Sequence, residues 1–365
     1  MQRDQEPGIA PRAIIILLVA VLSACKSSEP RGPSILESSP IEPPRPVVEE
    51  EAAARGPLTL PSRNLDAEET AYRLVLETSG ERDLIKSDED RRKDPSRDSH
   101  LLELEYRAVG FDTEAITGQR LILDALHYKR LERNPDRSRE VEAGSDRLRL
   151  FQNEEQVADI EGSAPKEAVT PRKMLYRPFA LVAFNERGEI DQYQAQGLRS
   201  IRRFLREMPI RQSILYAGVP LPPGAVKPGD VWKSRRFPPN LAGALGLGIE
   251  IEYSLAGYAD IDGVPCAWLL LKAEENGEGI PSSAGFDFDR VVATLDGEAW
   301  IELATSRIRR LVVEDVLRAS YQQGKEPAPV TIHRMRYRTR MFLEQRDPGD
   351  VPTKWEDGSE RFEVR

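Results

Sequence analysis

Leu102, Leu104, Tyr106 and Ala108 alternate with Glu103, Glu105 and Arg107. A period of two sends every apolar side chain to one face of a pleated strand and every charge to the other, so the segment is stable only with one face covered and one face wet. The pattern recurs at Tyr72, Leu74 and Leu76 against Arg73 and Glu77, and at Ile249, Ile251, Tyr253 and Leu255 against Glu250, Glu252 and Ser254. Successive segments of this kind joined by short turns favour antiparallel meanders over βαβ units. The expected fold class is therefore mainly β (α+β): one or more curved antiparallel sheets, or an open half-barrel, with one or two covering helices.

The other elements follow from the same patterns. Strands are expected at 146–152, 308–318 and 329–344, and at 120–130, where the periodicity also fits a helix. Phe179 to Tyr193 reads as a hairpin turning at Asn185-Glu186-Arg187-Gly188, and Asp260-Ile261-Asp262-Gly263 turns into the apolar run Cys266 to Lys272, suited to a strand buried on both faces. Phe286 and Phe288 lead to a turn expected at Asp296-Gly297, the commonest hairpin dipeptide type, before a strand opening on Trp300, Ile301 and Leu303. Residues 87–99 read as a charged loop. One helix is expected where Leu198, Ile201, Leu205 and Met208 recur at helical spacing among Arg199, Arg202, Arg203 and Arg206, with Pro209 ending it. Its apolar face is expected to pack on a sheet rather than lie on a membrane.

The N-terminus has a different character. Nine uninterrupted apolar residues, Ala13 to Val21, lead into Leu22-Ser23-Ala24-Cys25. A short charged start, an apolar core of this length and small residues before a cysteine resemble a bacterial lipoprotein signal peptide, in which Leu22 holds the apolar position and Cys25 becomes the lipidated new N-terminus. The run is too short to span a bilayer, which takes about 20 residues. Asp4 and Glu6 leave the charged start only weakly positive. The resemblance implies export, cleavage after residue 24, a membrane anchor of palmitate-type acyl chains on Cys25, and a place in the cell envelope. Lys26 stands where an inner-membrane retention signal would carry Asp, which favours the outer membrane facing the periplasm.

Beyond Cys25, Pro40, Pro43, Pro44 and Pro46 and the run Glu49-Glu50-Glu51 leave too little apolar surface to offset the entropy of ordering. The organisation expected is thus a signal peptide at 1–24, the lipidated cysteine and a disordered tether at 25–64, an N-terminal β-rich half at 65–215, a C-terminal antiparallel half at 216–345 and a polar tail at 346–365. The two halves are separated by the turn-rich crossing Leu221-Pro222-Pro223-Gly224 to Val231-Trp232. They form one domain or two similar ones. Cys266 is the only cysteine besides Cys25, so no internal disulfide is available once Cys25 is modified. Its apolar surroundings suit a small buried hydrophobe better than a reactive thiol. The net charge of −9 argues against a nucleic-acid partner.

Val219-Pro220-Leu221-Pro222 through Gly229-Asp230-Val231-Trp232, then Tyr253 to Gly257, then Ala299-Trp300-Ile301 with Ala304-Thr305-Ser306-Arg307-Ile308 resemble a group of uncharacterised bacterial lipoproteins and periplasmic proteins. In these a proline-rich Gly-Asp-x-Trp segment precedes an antiparallel half. Ser306 departs from the pattern, since those proteins often carry glycine in that turn. A curved sheet with a covering helix is also similar, at the level of fold, to the half-barrels of the lipoprotein carriers LolA and LolB. That resemblance implies a concave face able to take an acyl chain.

Little in the sequence points to catalysis. His100, His127 and His333 are scattered, without a metal-ligand spacing. No nucleophile elbow or phosphate-binding glycine loop occurs, and Gly243 to Gly248 reads as a loop or the start of a strand. No cofactor and no enzyme activity are expected. One row of residues does have a distinct chemistry: Arg334, Arg336, Arg338 and Arg340 share a strand face, opposite His333, Met335, Tyr337, Thr339 and Met341. Guanidinium groups about 6.8 Å apart suit phosphates, carboxylates or an acidic partner, or else pair with neighbouring glutamates such as Glu250 and Glu252. The function expected is a non-catalytic, membrane-anchored binding or carrier module for an apolar ligand or lipid. The alternatives are a structural component of the envelope that binds another envelope protein, and an envelope hydrolase.

Overall fold

The computed structural model describes residues 58–60, 70–86, 96–110, 120–134, 137–143, 148–153, 155–159, 175, 177–185, 187–196, 210–237, 246–282, 287–323 and 330–346. Their strands are β1 (Thr70–Ile85), β2 (Ser96–Gly110), β3 (Arg120–Asn134), β4 (Arg137–Ala143), β5 (Leu148–Gln152), β6 (Glu155–Asp159), β7 (Pro178–Phe184), β8 (Ile190–Ala195), β9 (Val231–Arg236), β10 (Ile249–Ile261), β11 (Val264–Gly277), β12 (Ile280–Pro281), β13 (Asp287–Glu302), β14 (Ile308–Gln323) and β15 (Thr331–Arg346), with one helix, α1 (Ile210–Ala217). All belong to one antiparallel sheet in the order β6-β5-β4-β3-β2-β1-β15-β14-β13-β11-β10-β9, with β7 and β8 branching from β3 and β12 beside β13. The fold class is the expected one, a curved antiparallel sheet whose ladder is not closed into a barrel.

The alternation seen in the sequence sets the register. One row of directly paired residues crosses nine strands, Ala143–Tyr128–Leu104–Leu74–Leu343–Leu311–Ala299–Leu269–Leu255, and every member is buried. The row beside it runs Leu102–Leu76–Met341–Val313–Gly297–Leu271–Tyr253–Trp232. A one-residue slip in any strand would turn these side chains to water, so the apolar face fixes the pairing. The ladder joins β1 directly to β15, and the sheet therefore runs without interruption through both halves of the chain.

Three local features refine the sequence reading. β3 is a strand over its whole length, which settles the helical ambiguity at 120–130, and the loop expected at 87–99 is already strand from Ser96. Asp296-Gly297 is not a turn: β13 passes straight through it, pairing Asp296 with Glu314 and Gly297 with Val313. The glycine is there for close approach, because a Cβ on Gly297 would stand 2.8 Å from the carbonyl oxygen of Val312. The helix expected at 198–208 lies outside the described residues, and α1 spans Ile210–Ala217.

The turns carry their expected chemistry. Asp262 and Gly263 both have positive φ and close the two-residue loop between β10 and β11, with the Gly263 N–H donating to Asp260 Oδ1 at 2.7 Å. In the crossing, Gly229 (φ 92°) and Asp230 form a turn in which the Asp230 carboxylate accepts from the Lys227 N–H at 2.8 Å, while Trp232 stacks on Tyr253 and donates to the Pro220 carbonyl at 3.1 Å. The Gly-Asp-x-Trp segment is thus a structural clasp. Ser306 has φ 56°, the left-handed region that glycine enters without penalty. Leu58 lies within the span read as a tether, yet it exchanges two backbone hydrogen bonds with Val226, at 2.6 and 2.8 Å.

Candidate functional site

The concave face converges on α1. Ile210, Ile214, Tyr216 and Ala217 are buried against the sheet, and the helix is held at its C-terminal end by Arg236 of β9. One Arg236 guanidinium nitrogen donates to the carbonyls of Leu215 and Gly218, the latter at 2.5 Å. These are carbonyls that a helix end leaves without intrahelical partners, and a cation there also meets the negative end of the helix dipole. Between α1 and the sheet lies a small crevice of about 50 Å³, lined by Tyr72, Tyr106, Leu123, Phe184, Ile190 and Leu343 among others. Tyr72 and Tyr106 stack with ring centroids 5.5 Å apart, and Tyr106 meets Phe179 edge-on at 6.3 Å. Its lining is apolar except for Arg307 at one end.

Beside this crevice the tip of the β7–β8 hairpin comes against β9, although among the described residues β8 pairs only with β7 and β9 only with β10. Polar contacts make the join. Ser234 donates to the Glu189 carboxylate, Arg187 donates to the Lys233 carbonyl at 3.2 Å, and the Leu221 N–H donates to the Arg187 carbonyl at 2.7 Å. Burial pushes the Glu189 carboxyl up, but the hydrogen bonds from Ser234 and Asn185 and the nearby Arg236 and Arg187 outweigh it and hold Glu189 below the ordinary range. Asn185 orders the hairpin tip that carries these groups by accepting from the N–H groups of Arg187 and Glu189 at 3.0 Å. The sequence marks the hairpin turn. It gives no sign of the seam, which depends on strands far apart in the chain.

The arginine row lies on the convex face of β15. Its neighbours are β1 and β14, whereas Glu250 and Glu252 sit on β10, separated from it by β14, β13 and β11. The carboxylate that two of the arginines find is instead Glu314: Arg338 Nε donates to Oε1 at 2.8 Å and Arg340 Nε to Oε2 at 2.9 Å. Burial raises the Glu314 pKa and these two bonds lower it further, leaving it below the ordinary range. Arg334 and Arg336 are exposed and have no ion-pair or hydrogen-bond partner among the described residues. Arg336 is directly paired with Arg318 of β14, and Arg334 with Ser320, whose other neighbour is Arg290 of β13. Arg290 and Arg318 were not visible as part of the row, because only the strand order brings them beside it.

The remaining candidates are dispersed. His100 meets Asp98 at 3.4 Å, His127 meets Glu142 at 3.3 Å, and His333 contacts Gln323 at 3.1 Å while stacking on Tyr321 at 4.4 Å. Among the described residues no group of three or more His, Cys, Asp or Glu side chains is placed to hold a metal ion. Cys266 is fully buried, and burial, with Glu302 next in effect, pushes its thiol up to about 12. Cys25 lies outside the described residues, and no described helix is long and apolar enough to cross a membrane.

No known family pattern and no curated protein matches the chain in sequence. Among solved structures, it is similar to lipovitellin, in a structure of its lipid–protein interactions, at 10% identity and a TM-score of 0.40, covering 80% of this chain and 26% of that one. The chain thus spans about a quarter of the lipovitellin chain. It is also similar to a β-barrel-like protein of a domain of unknown function, DUF1849, from Brucella abortus, at 9% identity and a TM-score of 0.19, covering 77% of this chain and all of that one.

Proposed function

We propose that this protein is a non-catalytic binding module that takes an apolar ligand, such as an acyl chain, between α1 and the concave sheet, and that it is held at the cell envelope by lipid on Cys25. The observation that carries the reading is the seam: the apolar crevice lies beside a join between the β7–β8 hairpin tip and β9 that, among the described residues, side-chain and loop contacts make without a strand ladder. At about 50 Å³ the crevice has room for only one or two waters. Ligand pockets run from roughly 300 to 1,000 Å³, so binding requires α1 to move away from the sheet face beneath it. The anchor fits the same picture. With Leu58 bonded to Val226, the 32 residues from Lys26 to Pro57 lie between Cys25 and that clasp.

Titration of the purified protein with a fluorescent fatty acid tests the ligand reading. Saturable binding by the natural chain is expected, with at least tenfold weaker binding by Ala108→Leu, which fills the crevice. Equal binding by both proteins, or none by the natural chain, would sink it. The anchor is tested separately: mass spectrometry of the envelope-purified protein should find an acylated Cys25 as the N-terminus, and Cys25→Ala should release a soluble protein.

A further inference from the structure

The convex face carries two kinds of charge pattern. Across its middle, one row of directly paired residues runs Glu77–Arg340–Glu314–Asp296–Lys272–Glu252–Lys233, mostly opposite in sign from strand to strand. Such alternation is what a solvated sheet face needs. Towards the end of the sheet where β15 begins, the pattern changes. Arg336 stands opposite Arg318, Arg334 and Arg290 flank Ser320, and all four arginines are exposed. None has an ion-pair or hydrogen-bond partner among the described residues. Their directly opposed acidic neighbours are two: Glu81, opposite Arg336, is bonded to Arg97 at 3.2 Å, and Asp83, opposite Arg334, makes no ion pair among the described residues.

Like charges placed directly opposite across two strands destabilise a sheet. This patch does so in a chain of net charge −9. The same end of the sheet also presents two of the exposed large apolar residues, Leu84 at 44% exposure near the end of β1 and Phe237 at 48% just beyond β9. Unpaired cations at the same sheet end as protruding apolar side chains match a surface with phosphate headgroups above hydrocarbon, where each basic residue raises affinity roughly fivefold.

We infer that the arginine patch formed by Arg290, Arg318, Arg334 and Arg336, together with Leu84 on the other face of the same sheet end, docks the sheet end-on against an anionic phospholipid surface. The inference is independent of the crevice and of any ligand in it. Docking brings that end of the sheet to the headgroups while an acylated N-terminus holds the chain nearby.

The test is flotation of the full chain carrying Cys25→Ser with vesicles of phosphatidylcholine alone and with vesicles containing about one-third phosphatidylglycerol. Whatever the N-terminal apolar run contributes is common to all variants. Excess binding to the anionic vesicles is expected, falling steeply with added salt. Arg318→Glu/Arg336→Glu should reduce that excess at least tenfold, and Leu84→Asp severalfold. The single variant Arg318→Glu separates docking from a structural role: it replaces a like-charge pair with an opposite pair, so its thermal midpoint should rise while its excess binding falls. Equal binding to the two vesicle types, an excess that survives the double reversal, or a lowered midpoint in Arg318→Glu would overturn the inference. So would full displacement from the vesicles by millimolar inorganic phosphate, the mark of a small-anion site.

Discussion

Arg236 shows how one side chain can serve two elements. It belongs to β9 by register, opposite Ile249, and to α1 by function, satisfying the carbonyls at the helix end. Replacing it by methionine keeps much of the apolar stem but leaves the buried Gly218 carbonyl without its donor and the Leu215 carbonyl with only the Gly218 N–H at 3.4 Å, and Arg236→Met should cost about 2–4 kcal/mol, read as a fall in the urea midpoint. His333 offers a test by pH. Burial, with Arg82 and Lys86 adding repulsion, lowers its pKa from 6.5 to about 4, so the folded protein holds the ring neutral where the unfolded chain would protonate it. The stability this contributes is fully present above pH 6.5 and is lost as the pH falls towards 4. His333→Gln should flatten that decline in urea midpoints measured across the window, and an unchanged slope would show that the ring does not govern it. Neither role is written in the local sequence: Arg236 sits in a run of ordinary polar residues, and His333 occupies one position of a simple alternation.

At the level of elements, the period of two made the strands legible wherever one face meets water. Thus β1, β2, β10, β14 and β15 stand close to where alternation put them. It served less well where the surroundings override it. β4 and β6 are short and carry few apolar residues, so nothing in their sequence separates them from the loops around them. Gly297 misled for a physical reason. Asp-Gly is the usual signature of a tight turn, but in β13 the glycine is needed because β14 passes too close for a side chain. Gly297→Ala should therefore lower stability by about 1–3 kcal/mol, although alanine would improve almost any exposed strand glycine. A calorimetric midpoint equal to or above that of the natural protein would contradict this account. The arginine row was legible as a strand face, but its composition was not: Arg290 and Arg318 join it only through the strand order, and Glu314 is its partner only because β14 lies beside β15.

At the level of the whole molecule, the sheet makes the two halves of the chain depend on each other. β1 pairs along its length with both β2 and β15, and β15 with both β1 and β14. Fragments 58–217 and 218–346, expressed separately, should each be insoluble or lack a cooperative thermal transition, and mixing them should restore one. Two independently cooperative fragments would show that the halves are separate domains. Contacts between segments so far apart in sequence also imply slow folding.

That pairing has a consequence for how the protein is made. A polypeptide emerges from the ribosome N-terminus first, so β1 (Thr70–Ile85) must wait for everything up to β15 (Thr331–Arg346) to be synthesised before β15 exists to cover it. During that interval one long edge of β1, with Leu74 and Leu76 on its apolar face, lies open to any strand that comes by. The risk of mispairing is set less by the finished structure than by the time between the first strand and the last, and a chain cut short anywhere before Thr331 never escapes it.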